Sequence, residues 1–295
     1  MTVFFLGVDG GGSNTRARLE DAKGNLLGVG LAGPSNLVRG IPAAKAAIMD
    51  ATSAALQQAS LSSSQLSSIH ACIGVAGANV DSYASQLNAW QHPFHSLQVT
   101  TDLHVALVGS HGGGEGAVII TGTGFCGGIS LNGDYCEVGG HGLLMGDGGS
   151  GALLGLRAVR HTLETLDGVV PTSDLAQAVC KKLGCNTAAE MVSASIEQPP
   201  VYFAALAPTV FEWAKLEDET ALEIVHKAAR FTANYARLLL NKRPQRFSVI
   251  GGIAESLLPY LPEDLQKQCA PALCTPVEGA VLLARRKHQS FAANM

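Results

Sequence analysis

The chain has 295 residues, 47% of them hydrophobic and 15% charged, with 34 glycines and a formal net charge of −4. At roughly 150 residues per domain, this length predicts two domains, each able to bury a core. The mild acidity carries no block of like charge, which excludes the basic patch that nucleic-acid binding requires. No apolar run approaches the ~18 residues of a spanning helix, so no membrane partner is expected.

The first apolar run, Val3 to Val8, predicts a buried strand ending on Asp9. It lacks the basic flank of an export signal. With seven cysteines and no such signal, reduced thiols and a cytoplasmic location are expected. Gly10-Gly-Gly-Ser-Asn-Thr15 follows, and Arg16 to Leu19 alternates as a returning strand. A two-residue hairpin turn needs one or two glycines. Asp9 to Thr15 exceeds that, and the excess implies access: backbone amides without Cβ cover suit phosphate oxygens. The carboxylate at the strand end suits Mg²⁺.

Leu26 to Leu31 completes a three-strand meander, and Gly33-Pro-Ser-Asn36 is a loop. Ala43 to Ala59 has helical spacing, Ser60 to Ser68 is a polar breaker, and Ile69 to Val75 is a strand running into Gly74-Val-Ala-Gly77. Ser82 to Trp90 reads as helix, Leu97 to Thr101 as a strand ending on Asp102, and Leu103 to Gly109 as a helix start. Asp102 therefore stands where an N-cap is common. Gly112 to Gly116 reads as a flexible junction.

The opening pattern then returns. Ala117 to Thr121 is a strand, Gly122 to Gly128 a glycine-and-hydroxyl turn, and Ile129 to Leu131 a strand. Asn132-Gly133 is a hairpin signal before Tyr135 to Val138. Gly122-Thr-Gly-Phe-Cys-Gly127 fits GxGxxG, but a dinucleotide site needs a helix to open there, and a β-type sequence follows. A second glycine-dense stretch spans Gly139 to Gly151. Leu153–Leu166, Ser173–Leu183, Ala188–Ser195, Val201–Trp213 and Glu217–Leu240 read as helices. Arg246 to Ile250 is a strand closed by Gly251-Gly252, and Val277 to Arg286 is a last helix after Pro276. Cys180/Cys185 and Cys269/Cys274 lack the two-residue knuckle of zinc sites, so no metal is assigned to them. No Gly-x₄-Gly-Lys-Ser/Thr occurs, which excludes a P-loop enzyme.

The ordered set Asp9-Gly-Gly-Gly-Ser-Asn-Thr15, Gly74-Val-Ala-Gly77, Thr101-Asp102, Gly122-Thr-Gly124, Gly139 to Gly151, Gly251-Gly252 and Pro276 to Ala280 resembles the BadF/BadG/BcrA/BcrD ATPase family. That family belongs to the actin-like, hexokinase-like superfamily. Within it, the chain is most similar to the hexosamine kinases, which act on glucosamine or N-acetylglucosamine. The sequence departs from the family at His141, where a tryptophan or other bulky residue is usual. It departs again at Gly148, where an acidic residue or Gln is usual.

The resemblance implies an α/β chain of two ribonuclease-H-like, actin-like ATPase domains flanking a cleft. The first would span residues 1–111, completed by a helix over 276–295, and the second 112–275. It implies ATP and Mg²⁺ as cofactors, an amino sugar as substrate and a homodimer. Asp9 would serve Mg²⁺. Gly11, Gly12, Ser13, Asn14 and Thr15, with Gly122, Thr123 and Gly124, would hold phosphates, and Gly251 and Gly252 would lie against adenosine. Asp102 would be the general base for the sugar 6-hydroxyl, with Asn36, Gly140, His141 and Asp147 beside the sugar. Domain closure would assemble the site and exclude water. Two other readings are an iron–sulfur dehydratase activator and a sugar sensor without catalysis. The first would place a cysteine before Gly122, where Ile119, Ile120 and Thr121 stand. The second usually appends a DNA-binding helix-turn-helix.

Overall fold

The computed structural model describes residues 2–293. The chain divides into two compact units, one of residues 1–116, 130–134 and 271–295 and one of residues 117–129 and 135–270. In chain order the strands and helices are β1 (Phe4–Gly10), β2 (Thr15–Asp21), β3 (Leu26–Ala32), α1 (Ile41–Gln58), β4 (Ile69–Val75), α2 (Asp81–Asn88), β5 (Ser96–Thr100) and α3 (Asp102–Ser110). There follow β6 (Gly116–Thr121), β7 (Phe125–Leu131), β8 (Asp134–Gly139), α4 (Gly151–Leu166), α5 (Asp174–Leu183), α6 (Ala188–Ser195), α7 (Pro200–Ala204) and α8 (Ala207–Lys215). The last are α9 (Glu219–Leu240), β9 (Phe247–Ile250), α10 (Ala254–Leu257), α11 (Glu263–Gln268) and α12 (Pro276–Ala293).

The first unit is built on a five-stranded sheet of order β3-β2-β1-β4-β5. β1 pairs antiparallel with β2 and parallel with β4, and β4 pairs parallel with β5. Every residue of β4 is buried, as expected for a strand covered on both faces, which reads as a continuous apolar run. One face packs on α1, whose Ala44, Ala47, Ala51 and Ala55 are buried. Gly28 and Gly30 of β3 face α1 so closely that a Cβ would overlap the carbonyls of Ala55 and Ala51. The other face is covered by α3 and α12, around Phe5, Cys72, Val105, Val108, Ala280 and Val281. Gly7, Gly109 and Gly279 mark that crossing, since a Cβ on Gly279 would lie 2.9 Å from Gly109 Cα and one on Gly7 2.7 Å from Val281 N.

The second unit has a four-stranded sheet of order β8-β7-β6-β9, with β6 parallel to β9. A single parallel bridge, Phe247 to Cys269, adds a remnant of a fifth position beyond β9. The strand order therefore repeats that of the first sheet. Its larger core is helical, gathering Leu154, Val159, Leu175, Met191, Val210 and Val225 from α4, α5, α6, α8 and α9. Asp218 caps α9 by accepting from the Ala221 amide at 2.8 Å, and Thr187 with Glu190 forms a capping box on α6.

Several boundaries differ from the sequence expectations. The expected helix Val201–Trp213 is two helices, α7 and α8. Pro208 lacks an amide and stands in the first turn of α8, where that loss costs nothing. The long helix starts at Glu219, since Glu217 has a left-handed φ of 63° and Asp218 is the cap. Part of the polar breaker is a 3₁₀ helix over Ser63–Ser68. β7 begins at Phe125, so Gly127 and Gly128 are strand rather than turn. The Gly112–Gly116 junction is a hydrogen-bonded helix end, with the Gly113 amide donating to Val108 at 2.8 Å. Asn294 and Met295, the end of the expected last helix, lie outside the described residues.

Candidate active site

In the first unit, the C-terminal ends of the parallel strands β1, β4 and β5 carry the expected residues, as is general for ligand sites in open α/β sheets. The register aligns Asp9 with Gly74 and Gly74 with Thr100, so Asp9 and Asp102 stand at the same end of one sheet. The turn after β1 is Gly11-Gly-Ser-Asn14, closed by the Gly11 amide donating to Asn14 O at 3.0 Å. Gly10 is a different case from its neighbours: a Cβ there would collide with Ser35 Oγ and lie 2.9 Å from Val75 Cγ1. Gly11 and Gly12 lie outside the left-handed region, and a Cβ on Gly12 would meet nothing within 4 Å. Neither turn geometry nor packing requires glycine at those two positions.

The loop at residues 33–37 is stapled to this turn. The Ser35 amide donates to Gly11 O at 3.1 Å. Thr15 Oγ1 lies 2.6 Å from Gly33 O, to which it donates, and 2.8 Å from Ser35 Oγ. The Thr15 hydroxyl is thus engaged by the fold, while Ser13 and Asn14 are exposed. Asn36 Oδ1 accepts from the Val38 amide at 3.0 Å and caps a short 3₁₀ turn.

Burial raises the Asp9 carboxyl to about 6, against a smaller opposing pull from Arg16, whose guanidinium lies 3.9 Å away. A carboxylate so desolvated, with one loose cation beside it, fits a divalent ion. Asp102 opens α3 in its first turn. The N-cap is Thr101, whose hydroxyl accepts from the His104 amide at 3.1 Å. This leaves the Asp102 carboxylate in a helix N-terminal field that favours negative charge. Its Oδ1 accepts from the Leu103 amide at 2.9 Å.

In the second unit, Gly122, Thr123 and Gly124 form the turn after β6. The N-terminus of α4 rests on it, with the Gly151 amide donating to Gly122 O at 2.7 Å and the Ala152 amide to Thr123 O at 3.3 Å. Ser150 caps α4, accepting from the Leu153 amide at 3.1 Å. Beside the turn, at the end of β9, Gly251 has φ 110° and no room for a Cβ against Thr121. Gly252 has nothing within 4 Å of its Cβ position.

Asp147 is buried, 8% exposed, with a left-handed φ of 54°. Burial raises its pKa, and the Gly142 and Phe125 amides and His141 pull the other way. Among the described residues its Oδ1 has no hydrogen-bond partner. Gly140, at φ 73°, donates its amide to Phe125 O at 2.9 Å, and His141 is exposed. Among the described residues no group of three or more His, Cys, Asp or Glu is placed to hold a metal ion, and none of the seven cysteines forms a disulfide.

Sequence reasoning missed the aromatic bed beneath the second glycine stretch. Phe125 meets Phe231 and Tyr235 edge-on, and those two rings pack tilted against each other, with centroids 4.8–5.2 Å apart. The available signal was the i, i+4 pair Phe231 and Tyr235 on α9, but its partner glycines lie some eighty residues away in sequence.

Two sheets of one strand order, each with a glycine turn at the end of its leading strand, define the actin-like class of α/β ATPases. A profile of the BadF/BadG/BcrA/BcrD ATPase family matches residues 6–284, and the chain belongs to that family. It is similar to glucosamine kinase GspK of Vibrio cholerae serotype O1, 31% identical over 294 residues that cover 98% of each chain. It is 28% identical to N-acetyl-D-glucosamine kinase of Dictyostelium discoideum, over 95% of this chain and 97% of the relative. A solved structure from Chromobacterium violaceum, described provisionally as an N-acetylglucosamine kinase, superposes with a TM-score of 0.91 at 31% identity, covering 96% of this chain and 99% of that one.

Proposed function

We propose that the protein is an ATP-dependent hexosamine kinase that phosphorylates the 6-hydroxyl of glucosamine or N-acetylglucosamine. The observation that carries this reading is the turn after β1. Gly11 and Gly12 keep bare backbone where neither φ nor packing asks for it, next to a partly buried carboxylate, in a chain similar to amino-sugar kinases over nearly its whole length.

Phosphoryl transfer rests on positioning and charge neutralisation. In this reading the amides of Gly12 to Asn14, in the turn that the Gly11 amide closes, and the Gly122-Thr123-Gly124 turn bind phosphate oxygens. The open backbone at Gly252 receives the adenosine, with Gly251 shaping the bend before it. Asp9 is the residue that would hold Mg²⁺, which when bound neutralises phosphate charge. Asp102 accepts the proton of the sugar 6-hydroxyl. Asn36, Gly140, His141 and Asp147 hold the sugar. The proposal extends to a cytoplasmic homodimer, to be checked by fractionation and by light scattering on the purified protein.

The test is coupled ADP release with glucosamine, N-acetylglucosamine and glucose, with the product position read by NMR. Asp102→Asn is expected to lower kcat by about 10²–10⁴-fold, the range of general-base catalysis, in a protein that stays folded and loses about 0.3–1 kcal/mol with the charge at the helix N-terminus. Near-wild-type turnover in that variant would remove Asp102 from the base role. No ADP with any hexosamine would overturn the kinase reading.

A further inference from the structure

We infer that Phe231 of α9 is a positioning residue for sugar binding: its ring takes the place of a side chain at residue 148 and holds the Asp147 carboxylate in its binding orientation. The inference rests on the kinase reading above and adds to it a residue outside every glycine stretch.

Asp147 is a non-glycine residue in the left-handed region, which Asp tolerates better than most residues and which its packing here holds. That packing is aromatic. A Cβ built on Gly148 would overlap the Phe231 ring, with Cε2 at 2.6 Å, and one on Gly149 would lie 2.8 Å from Phe125 Cδ2. The two rings thus press directly on the backbone that follows Asp147. Phe231 meets Phe125 edge-on at 5.0 Å and packs on Tyr235 at 4.8 Å. Tyr235 in turn lies under Gly139, with Cε1 3.5 Å from its Cβ position.

Phe125 connects this bed to the ligand-facing groups. Its carbonyl accepts from Gly140 at 2.9 Å, and its amide lies close enough to the Asp147 carboxyl to favour the charged form. Removing the Phe231 ring frees Gly148 and unseats Phe125. Asp147 can then relax from φ 54°, and its carboxylate, whose Oδ1 is buried without a partner among the described residues, shifts with it. The same packing explains the departure noted at residue 148: any side chain there would occupy the volume of Phe231.

The experiment is steady-state kinetics on Phe231→Ala, Phe231→Leu, Gly148→Gln and the double variant Gly148→Gln/Phe231→Ala, with Tm measured for each. We expect Phe231→Ala to raise the KM for the amino sugar about tenfold or more, to leave the KM for ATP within about twofold, and Phe231→Leu to fall between. We expect Gly148→Gln alone to be more damaging than Gly148→Gln in the Phe231→Ala background, because the double variant supplies the space the Gln needs. An unchanged sugar KM in Phe231→Ala, an equal rise for ATP, or fold-changes that simply multiply in the double variant would each overturn the positioning role while leaving the kinase reading intact. A wild-type protein that releases no ADP with any hexosamine would instead remove the kinase reading, and this inference with it.

Discussion

Gly10 and Gly12 are two residues apart and do different work. Gly10 is glycine because Ser35 and Val75 occupy its Cβ space. Gly12 is glycine although nothing in the fold requires it, and that contrast gives a clean test. Gly12→Ala should leave the protein as stable or more stable by about 0.4–1 kcal/mol, as a Gly→Ala change does at a compatible site, while raising the KM for ATP severalfold, because an added methyl obstructs only a ligand. Gly10→Ala should fail at folding instead. The sequence displays both as one run of three, so the composition of the turn was legible and the division of labour within it was not. Asp102 is similar: its place at a strand–helix junction was legible, but the cap is Thr101, a choice set by side-chain geometry rather than by residue type.

At the scale of elements, the crossing of α12 over β1 and α3 depends on Gly7, Gly109 and Gly279. A methyl on Gly279 meets the Val105 carbonyl and the Gly109 backbone, neither of which can move aside as a side chain end can. Gly279→Ala should therefore lower stability by about 1–3 kcal/mol, as overpacking does, read as a Tm drop of several degrees with ligand-binding residues untouched. The outer end of the same interface holds a histidine cluster. His70 of β4 lies 4.3 Å from His288 of α12 and 4.7 Å from His95, ring centre to ring centre, and stacks on Phe5. Its Nδ1 is 2.7 Å from Ser96 Oγ. Arg285 lies over the Phe5 ring, and Lys287 donates to Leu97 O.

Burial first, then the neighbouring His288 and His95, lowers the His70 pKa to about 4. The unfolded chain takes up that proton near the ordinary value of 6.5 and the folded chain resists it. Stability is thus present above pH 6.5 and lost as pH falls from there toward 4, by an amount on the order of 1–3 kcal/mol. His70→Phe should flatten the acid limb of a denaturation-versus-pH series, and an unchanged limb would count against this account.

The element types were largely readable. Asn132-Gly133 turned as its residues demand, with φ 54° and 85°. Where local rules competed, they misled: α7 and α8 read as one helix because apolar spacing continues across Pro208. Contacts between distant segments, such as Phe231 on Gly148, left no mark at helical or strand spacing.

For the whole molecule, the repeated strand order means the two sheets present equivalent ends, and each unit carries its own core. A chain of two such units is not expected to melt as a single two-state transition. If the reading as an ATP-binding enzyme holds, a non-hydrolysable ATP analogue with magnesium at a hundred times its Kd should stabilise the protein by about 2.7 kcal/mol, visible as a shifted transition in calorimetry. No shift at that concentration would argue against nucleotide binding. With seven cysteines and no disulfide among them, such measurements belong in reducing buffer.

The packing of α12 has a consequence for how the protein is made. Residues 276–293 cover β1 and β4, which lie near the start of the chain, through Ala280, Val281, Leu283 and Ala284. During translation the strands of the first unit emerge early, but the face on which α12 docks stays bare until the segment after residue 271 has left the ribosome. The second unit, residues 117–129 and 135–270, is fully emerged before that moment. The portion of the chain synthesised first is thus the portion completed last, and a nascent chain halted near residue 270 would display Phe5, Cys72 and Val105 to whatever chaperone waits at the exit.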